Sequence, residues 1–92
     1  MVVTVRGEVD LATAPDLASS VRGALEGSPS SLILDLEGLA FIDSSGLREL
    51  VTLSEEARSR GASFVLRKVP RVAQRVLELT GLTEWFEQPP AV

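Results

Sequence analysis

Apolar residues follow two repeating patterns along the chain, one typical of strands and the other of helices. Residues 2 to 9 are rich in β-branched side chains and roughly alternate, which predicts a strand. Residues 31 to 36 form a short apolar run after turn residues and predict a second strand, and residues 62 to 69 predict a third. A further strand-like piece is predicted around Trp85 and Phe86.

Between these strands, apolar positions spaced three and four residues apart predict helices. Three helices are expected, over about residues 14 to 26, 45 to 60 and 70 to 80. Thr13 and Asp16 have the spacing of a capping box at the start of the first helix. The connector before the second helix is expected to have buried anchors at Leu39, Phe41 and Ile42. This alternation of strands and helices predicts an α/β fold, with a parallel sheet joined by right-handed crossovers.

Composition narrows the class of function. The chain has 92 residues, of which 45% are hydrophobic, and we expect one ordered domain over residues 1 to 92. It contains no Cys and no His, which excludes thiol catalysis, a Ser-His-Asp triad and a His-ligated metal. The net charge is −4 and there is no basic patch, so nucleic-acid binding is not expected. No apolar run reaches membrane-helix length and no signal peptide is apparent, which predicts a cytoplasmic protein with no membrane partner.

The candidate functional side chains follow the ends of the predicted parallel strands. The carboxyl ends of neighbouring strands meet at one edge of a sheet. Asp10 follows the first strand, and Asp43, Ser44 and Ser45 precede the second helix. One serine is explained as a helix cap, which accepts a hydrogen bond from an early N–H group. We expect Ser45 to cap and Ser44 to point outward, accessible to a modifying enzyme.

Other chemistry at this edge finds little support in the sequence. Ser44 has no histidine base and no nucleophile motif, so it is not expected to be catalytic. Phosphate-loop motifs are missing, and no cofactor is expected. Asp10, Asp35 and Asp43 imitate a magnesium cluster, but Asp35 lies inside the second strand, and no metal is expected. A receiver-like phosphoacceptor that uses an aspartate and magnesium remains an alternative, although Asp10 and Lys68 match its pattern poorly.

The chain resembles one family in three separated motifs: GEVDLATAPDL, LILDLEGLAFIDSSGLREL and RGASFVLRKVPRVAQRVLELTGL. Over about residues 5 to 86 these resemble the STAS domain of bacterial anti-sigma factor antagonists. The resemblance implies a small sheet of about four strands, mostly parallel, with helices mainly on one face. We expect the family's N-terminal edge strand and C-terminal helix to be missing, unless the native chain is longer at its N-terminus. We therefore expect an unpaired sheet edge and a weak homodimer.

The resemblance also implies a function without catalysis. Members bind an anti-sigma factor that is also a serine kinase, and binding frees the sigma factor. The kinase phosphorylates the first serine of the D-S-[ST]-G motif, here Ser44, and a metal-dependent serine phosphatase reverses the step. The implied partner surface comprises Asp10, Asp43, Ser44, Ser45, Gly46, Leu47 and Arg48. A STAS module that acts only as a scaffold, in a stress-signalling or lipid-transport complex, is the alternative.

Overall fold

The computed structural model describes residues 1–80, in which three strands alternate with three helices as predicted. In chain order the elements are β1 (Val2–Val9), α1 (Ala14–Leu25), β2 (Ser31–Ile42), α2 (Ser44–Ser59), β3 (Ser63–Arg67) and α3 (Arg71–Thr80). The predicted strand-like piece at Trp85 and Phe86 lies outside the described residues.

The three strands form one parallel sheet in the order β1-β2-β3. Each crossover moves one strand along in the same direction, so right-handed connections place α1 and α2 on the same face. These two helices contact each other, and α3 packs against β2. The predicted α/β class with a parallel sheet is confirmed. Within residues 1–80, β1 and β3 are the outer strands, and self-association through an edge stays a prediction.

A single hydrophobic core draws on the strands and helices together. Its largest fully buried apolar side chains are Val21 and Leu25 of α1, Leu32, Leu34 and Leu36 of β2, Leu53 of α2, and Phe64 and Leu66 of β3. Burying a side chain of this size stabilises the fold by about 1.5–3 kcal/mol relative to exposing it. The two helices are thereby fixed against the sheet, and so are the loops that precede them.

The second strand is longer than its apolar run indicates. β2 continues through Ile42, where the sequence predicts a connector after residue 36, because its pairing with β1 continues as far as Val9. The register shifts twice along this stretch, and the second shift lies between Gly7 and Glu8. Such irregularities interrupt the simple two-residue alternation that identifies a strand in a sequence.

The three predicted anchors in this stretch have different outcomes. Leu39 and Ile42 are buried, as predicted, with 5% and 4% of their surface exposed. Phe41 is 45% exposed, so the prediction that it is buried was wrong. Phe41 directly precedes Ile42 in the strand, and successive strand side chains point to opposite faces.

Candidate functional site

The candidate site lies where β1 and β2 end and α2 begins. The Asp43 backbone N–H donates to the Val9 carbonyl over 3.2 Å, which fastens the start of α2 to the end of β1. Val9 and Ile42 are also register partners in the sheet. Asp10 and Asp43 therefore follow paired residues of adjacent strands. The structure brings them to one edge of the sheet, as the strand order predicts.

Asp43 is the residue that caps α2. Its backbone is extended, and its Oδ1 accepts a hydrogen bond from the Gly46 N–H over 3.0 Å. The helix begins at Ser44, so neither serine is the cap, and the predicted cap at Ser45 was wrong. Aspartate and serine are about equally good caps, and the first of the three suitable residues takes the role here. Its negative charge also favours the positive end of the helix.

The two serines are left with their hydroxyl groups uncommitted. Ser44 is exposed and Ser45 is half-buried. Neither side chain has a hydrogen-bond partner among residues 1–80. Because Asp43 satisfies the Gly46 N–H, neither hydroxyl is needed to hold the helix start. Ser44 thus presents a free hydroxyl at the first position of a helix, where a phosphate group is electrostatically tolerated.

Gly46 allows α2 to approach β1 closely. A Cβ atom at this position would clash with the Val9 carbonyl oxygen and would come within 2.7 Å of Val9 Cγ1. Gly46 is buried, and Leu47 is only 3% exposed. Both belong to the predicted partner-binding set, yet their side-chain positions are turned into the fold. Both belong to the packed base on which the exposed residues beside them stand.

Asp10 organises the loop that begins α1. Its Oδ1 accepts from the backbone N–H groups of Ala12 and Thr13, each over 3.0 Å. The Thr13 hydroxyl accepts from the Asp10 N–H over 2.9 Å and donates to the Glu8 carbonyl over 2.8 Å. Thr13 precedes the helix but its side chain makes no capping bond, so the predicted Thr13–Asp16 capping box is not formed. The hydroxyl bonds backward into the loop instead.

A surface groove between α1 and α2 adjoins the site. Leu11, Ala14, Pro15, Ala18 and Arg22 line one wall, and Ser45, Arg48, Glu49 and Thr52 line the other. Leu11 is 78% exposed at its mouth. The sequence reasoning did not identify this groove. The available signal was an apolar Leu11 directly after Asp10, in a loop where a polar residue is the norm.

The shorter of two ion pairs that Arg22 makes with α2 joins it to Glu56. Arg22 donates to both carboxylate oxygens of Glu56, with Nη2–Oε1 at 2.7 Å and Nε–Oε2 at 3.0 Å. The hydrogen bond from Arg22 lowers the pKa of Glu56 below its ordinary value, and the positive charge of Arg22 lowers it further. The same pair raises the pKa of Arg22. Both side chains stay partly exposed, so the pair contributes little to stability.

The remaining sequence candidates lie elsewhere. Asp35 of β2 accepts from Arg67 Nη2 over 2.9 Å and from the Glu37 N–H over 3.0 Å. The backbone hydrogen bond from Glu37, followed by that from Arg67, lowers the pKa of Asp35. Lys68 Nζ lies 3.0 Å from Glu37 Oε2. Asp35 and Lys68 thus bond to other residues rather than to Asp10 or Asp43.

Residues 1–80 contain neither a cluster of metal ligands nor a helix that could span a membrane. Nowhere in this range do three His, Cys, Asp or Glu residues gather in a way that would hold a metal ion. None of the helices in this range is long and apolar enough to cross a membrane.

Comparison with known proteins identifies the family. The family model of the STAS domain matches residues 1–91. The anti-sigma-F factor antagonist RsfB of Mycobacterium tuberculosis is 33% identical over 87 residues, which span 92% of this chain and 69% of RsfB. A crystal structure of an anti-sigma factor antagonist from Mycobacterium paratuberculosis is similar at a TM-score of 0.84 and 32% identity, over 99% of this chain and 77% of that one.

A more distant structure has the same fold. The phosphorylated form of the Bacillus cell fate determinant SpoIIAA is similar at a TM-score of 0.70 and 22% identity, over 97% of this chain and 81% of that one. At this identity the likeness speaks for the fold alone. Together with the match over residues 1–91 and the similarity to RsfB, these findings show that the chain belongs to the STAS domain family.

Proposed function

We propose that this chain is an anti-sigma factor antagonist, a cytoplasmic protein-interaction switch controlled by phosphorylation of Ser44. Its partner is an anti-sigma factor with serine kinase activity, and binding releases the sigma factor. The kinase phosphorylates Ser44, and a serine phosphatase restores the binding form. The chain itself acts by binding and not by catalysis. The exposed, unbonded Ser44 at the first position of a helix that Asp43 caps is the observation that carries this proposal.

The relatives support the same role. RsfB, at 33% identity, is an anti-sigma-F factor antagonist, and the Mycobacterium paratuberculosis protein of matching fold is an anti-sigma factor antagonist. SpoIIAA, which shares the fold, has a phosphorylated form. These names give the class of partner. The residue assignment rests on the geometry around Ser44.

The position of Ser44 supports the expectation that the fold survives phosphorylation. A phosphate adds about −1.5 to −2 charges near neutral pH. On Ser44 it lies at the positive end of α2, where negative charge is favourable. The Ser44 hydroxyl holds no structural hydrogen bond within residues 1–80, so esterifying it breaks none there. The secondary structure and core are therefore expected to stay unchanged.

The same charge is unfavourable for a bound partner. Asp43 is the adjacent residue, and Asp10 lies at the same edge of the sheet. A partner that covers this edge must desolvate the added charge beside two carboxylates, and a charge that is buried without full compensation costs several kcal/mol. A loss of only about 3 kcal/mol weakens binding more than a hundredfold. The exposed and half-buried members of the predicted surface, Asp10, Asp43, Ser44, Ser45 and Arg48, form the surface that this charge would alter.

The test is titration calorimetry of the chain against its anti-sigma factor kinase with nucleotide present. The phosphorylated Ser44 form should keep its circular dichroism spectrum and bind at least about a hundredfold more weakly than the unmodified form. Ser44→Ala should bind like the unmodified form and accept no phosphate. Ser45→Ala is the matched control and should still be switched off by phosphorylation. Equal affinities of the phosphorylated and unmodified forms would reject the switch and favour a scaffold.

A further inference from the structure

Arg48 stands one helical turn beyond Ser44 on the same side of α2. Ser44 is the first residue of the helix, and Arg48 follows it by four positions. Side chains separated by four residues are neighbours on a helix surface, with Cβ atoms about 5–6 Å apart. Both Ser44 and Arg48 are exposed. A group attached to the Ser44 oxygen therefore lies within reach of the Arg48 guanidinium.

The Arg48 guanidinium is also unengaged. Within residues 1–80 it takes part in no ion pair and no side-chain hydrogen bond. Other basic side chains are held in place: Arg22 by Glu56, Arg67 by Asp35 and Lys68 by Glu37. Arg48 thus stays available to an anion that is absent from the unmodified chain.

Most of the other charged side chains near Ser44 cannot pair with a phosphate on this residue. Asp43 precedes Ser44 in the chain, and Asp10 lies at the same edge of the sheet, on the loop before α1. Glu49 is the neighbour of Arg48 on α2, and its carboxylate lies 4.0 Å from Arg22 on α1. Asp43, Asp10 and Glu49 are acidic, and Arg22 already donates two hydrogen bonds to Glu56. Arg48 is the cation that both geometry and charge favour.

We propose that Arg48 binds the phosphate of phospho-Ser44 within the same helix and so serves as a positioning residue for the phosphorylated state. This inference rests on the proposed function for the choice of Ser44 as the modified residue. A planar guanidinium donates two parallel hydrogen bonds to a phosphate. Phosphorylation then changes the partner surface in two ways. It adds the phosphate anion, and it occupies the Arg48 guanidinium that is otherwise exposed.

The test uses a chain in which phosphoserine is built in at position 44 during translation, so that no kinase is needed. Phosphorus NMR follows the second ionisation of this phosphate from about pH 4 to about pH 8. Arg48 favours the dianion, so the phosphate pKa should be higher in Arg48→Gln than in the parent. The expected difference is about 0.15–0.4 unit, from the strength of helical pairs four residues apart.

Two further variants make the result specific. Arg48→Lys keeps the charge without the planar fork, and its phosphate pKa should fall between those of the parent and Arg48→Gln. Arg75→Gln removes an exposed charge from α3 and should leave the phosphate pKa unchanged. Equal phosphate pKa values in the parent and Arg48→Gln would overturn the proposal, and so would an equal rise in Arg75→Gln. A kinase that ignores Ser44 would reject the proposed function and leave this titration interpretable.

Discussion

The starts of α1 and α2 have similar local sequences but use their hydroxyl groups in opposite ways. Each helix follows a parallel strand, and an aspartate side chain accepts backbone N–H groups two or three residues ahead. At α1 the Thr13 hydroxyl is held by the Asp10 N–H and the Glu8 carbonyl. At α2 the Ser44 hydroxyl is exposed and bonds to nothing within residues 1–80. One hydroxyl stabilises a loop, and the other is free to be modified.

The difference follows from where the aspartate stands. Asp43 directly precedes α2, so its carboxylate satisfies the helix end without help. Asp10 stands four residues before the first residue of α1, and its carboxylate closes the intervening turn together with Thr13. At α2 the Asp43 carboxylate has already satisfied the helix start, so the Ser44 hydroxyl is left as a candidate for modification.

The largest expected effect is on phosphate incorporation, which should depend on the Ser44 hydroxyl and not on the Thr13 hydroxyl. Ser44→Ala should reduce phosphate incorporation by the kinase to background, and its free energy of unfolding should change by less than about 0.5 kcal/mol. Thr13→Ala should lose about 1 kcal/mol of stability with the hydrogen bonds of the loop, yet accept phosphate normally. Mass spectrometry and urea denaturation of both variants measure these quantities. Phosphate found on Thr13, or a strongly destabilised Ser44→Ala, would contradict the division of roles.

The second prediction compares a glycine in each helix. Gly46→Ala should destabilise the fold by about 2 kcal/mol, because the new Cβ meets the Val9 carbonyl of β1 and the backbone must shift. Gly23 lies in α1, and a Cβ atom added there would meet nothing within 4 Å. Gly23→Ala should therefore stabilise the fold by about 0.5–1 kcal/mol. Urea unfolding gives both values.

The sign of the two changes is the informative result. An unchanged free energy of unfolding in Gly46→Ala would mean that α2 can move away from β1 without a loss of stability. The close approach would then be no constraint on where Ser44 sits. A destabilising Gly23→Ala would indicate that glycine itself, and not the contact with Val9, determines the response to substitution.

A third, smaller effect tests the cap of α2. Asp43→Ala should destabilise the fold by about 1 kcal/mol, since the Gly46 N–H loses its acceptor. Ser45→Ala should cost less than about 0.5 kcal/mol, because the Ser45 hydroxyl bonds to nothing within residues 1–80. Thermal or chemical unfolding of the two variants decides the order. A larger loss for Ser45→Ala would return the capping role to the serine.

The sequence was sufficient to predict the strands, the helices and the edge that holds Asp10 and Asp43, but not the residue that caps α2. Apolar periodicity located every strand and helix of residues 1–80, because burial of a face imposes the repeat. It also placed Asp10 and Asp43 at one edge, since parallel strands end together. The identity of the cap could not be read in the same way. Asp43, Ser44 and Ser45 are all good caps, and only the path of the backbone decides which oxygen reaches the Gly46 N–H.

Contacts between residues far apart in the chain could not be predicted from the sequence either. The contact of Gly46 with Val9 and the pair of Arg22 with Glu56 join residues that lie more than thirty positions apart in the chain. No local pattern encodes such distances. The exposure of Phe41 was missed because two register shifts between β1 and β2 interrupt the alternation that would have revealed it.

The smallest expected effect concerns the ion pair that holds α1 beside α2. The folded-state pKa of Glu56 lies below its unfolded value, so the pair stabilises the fold above that unfolded value, about pH 4.3. This stability is lost as the pH falls through the folded-state pKa. Glu56→Gln should therefore cost less than about 1 kcal/mol near neutral pH, and the cost should shrink below about pH 4. Glu55→Gln, an exposed neighbour, controls for the change in net charge.

Urea unfolding of the parent, Glu56→Gln and Glu55→Gln across this pH range measures the difference. A cost that stays constant into acid would mean that the Glu56 carboxylate does not act through its charge. A small effect is the expected result because Arg22 and Glu56 remain partly exposed, and solvent screens their attraction. The buried face of each helix holds the two helix starts in place, so the contrast between Thr13 and Ser44 should persist without the pair. Phosphate incorporation at Ser44 in Glu56→Gln should accordingly match that of the parent.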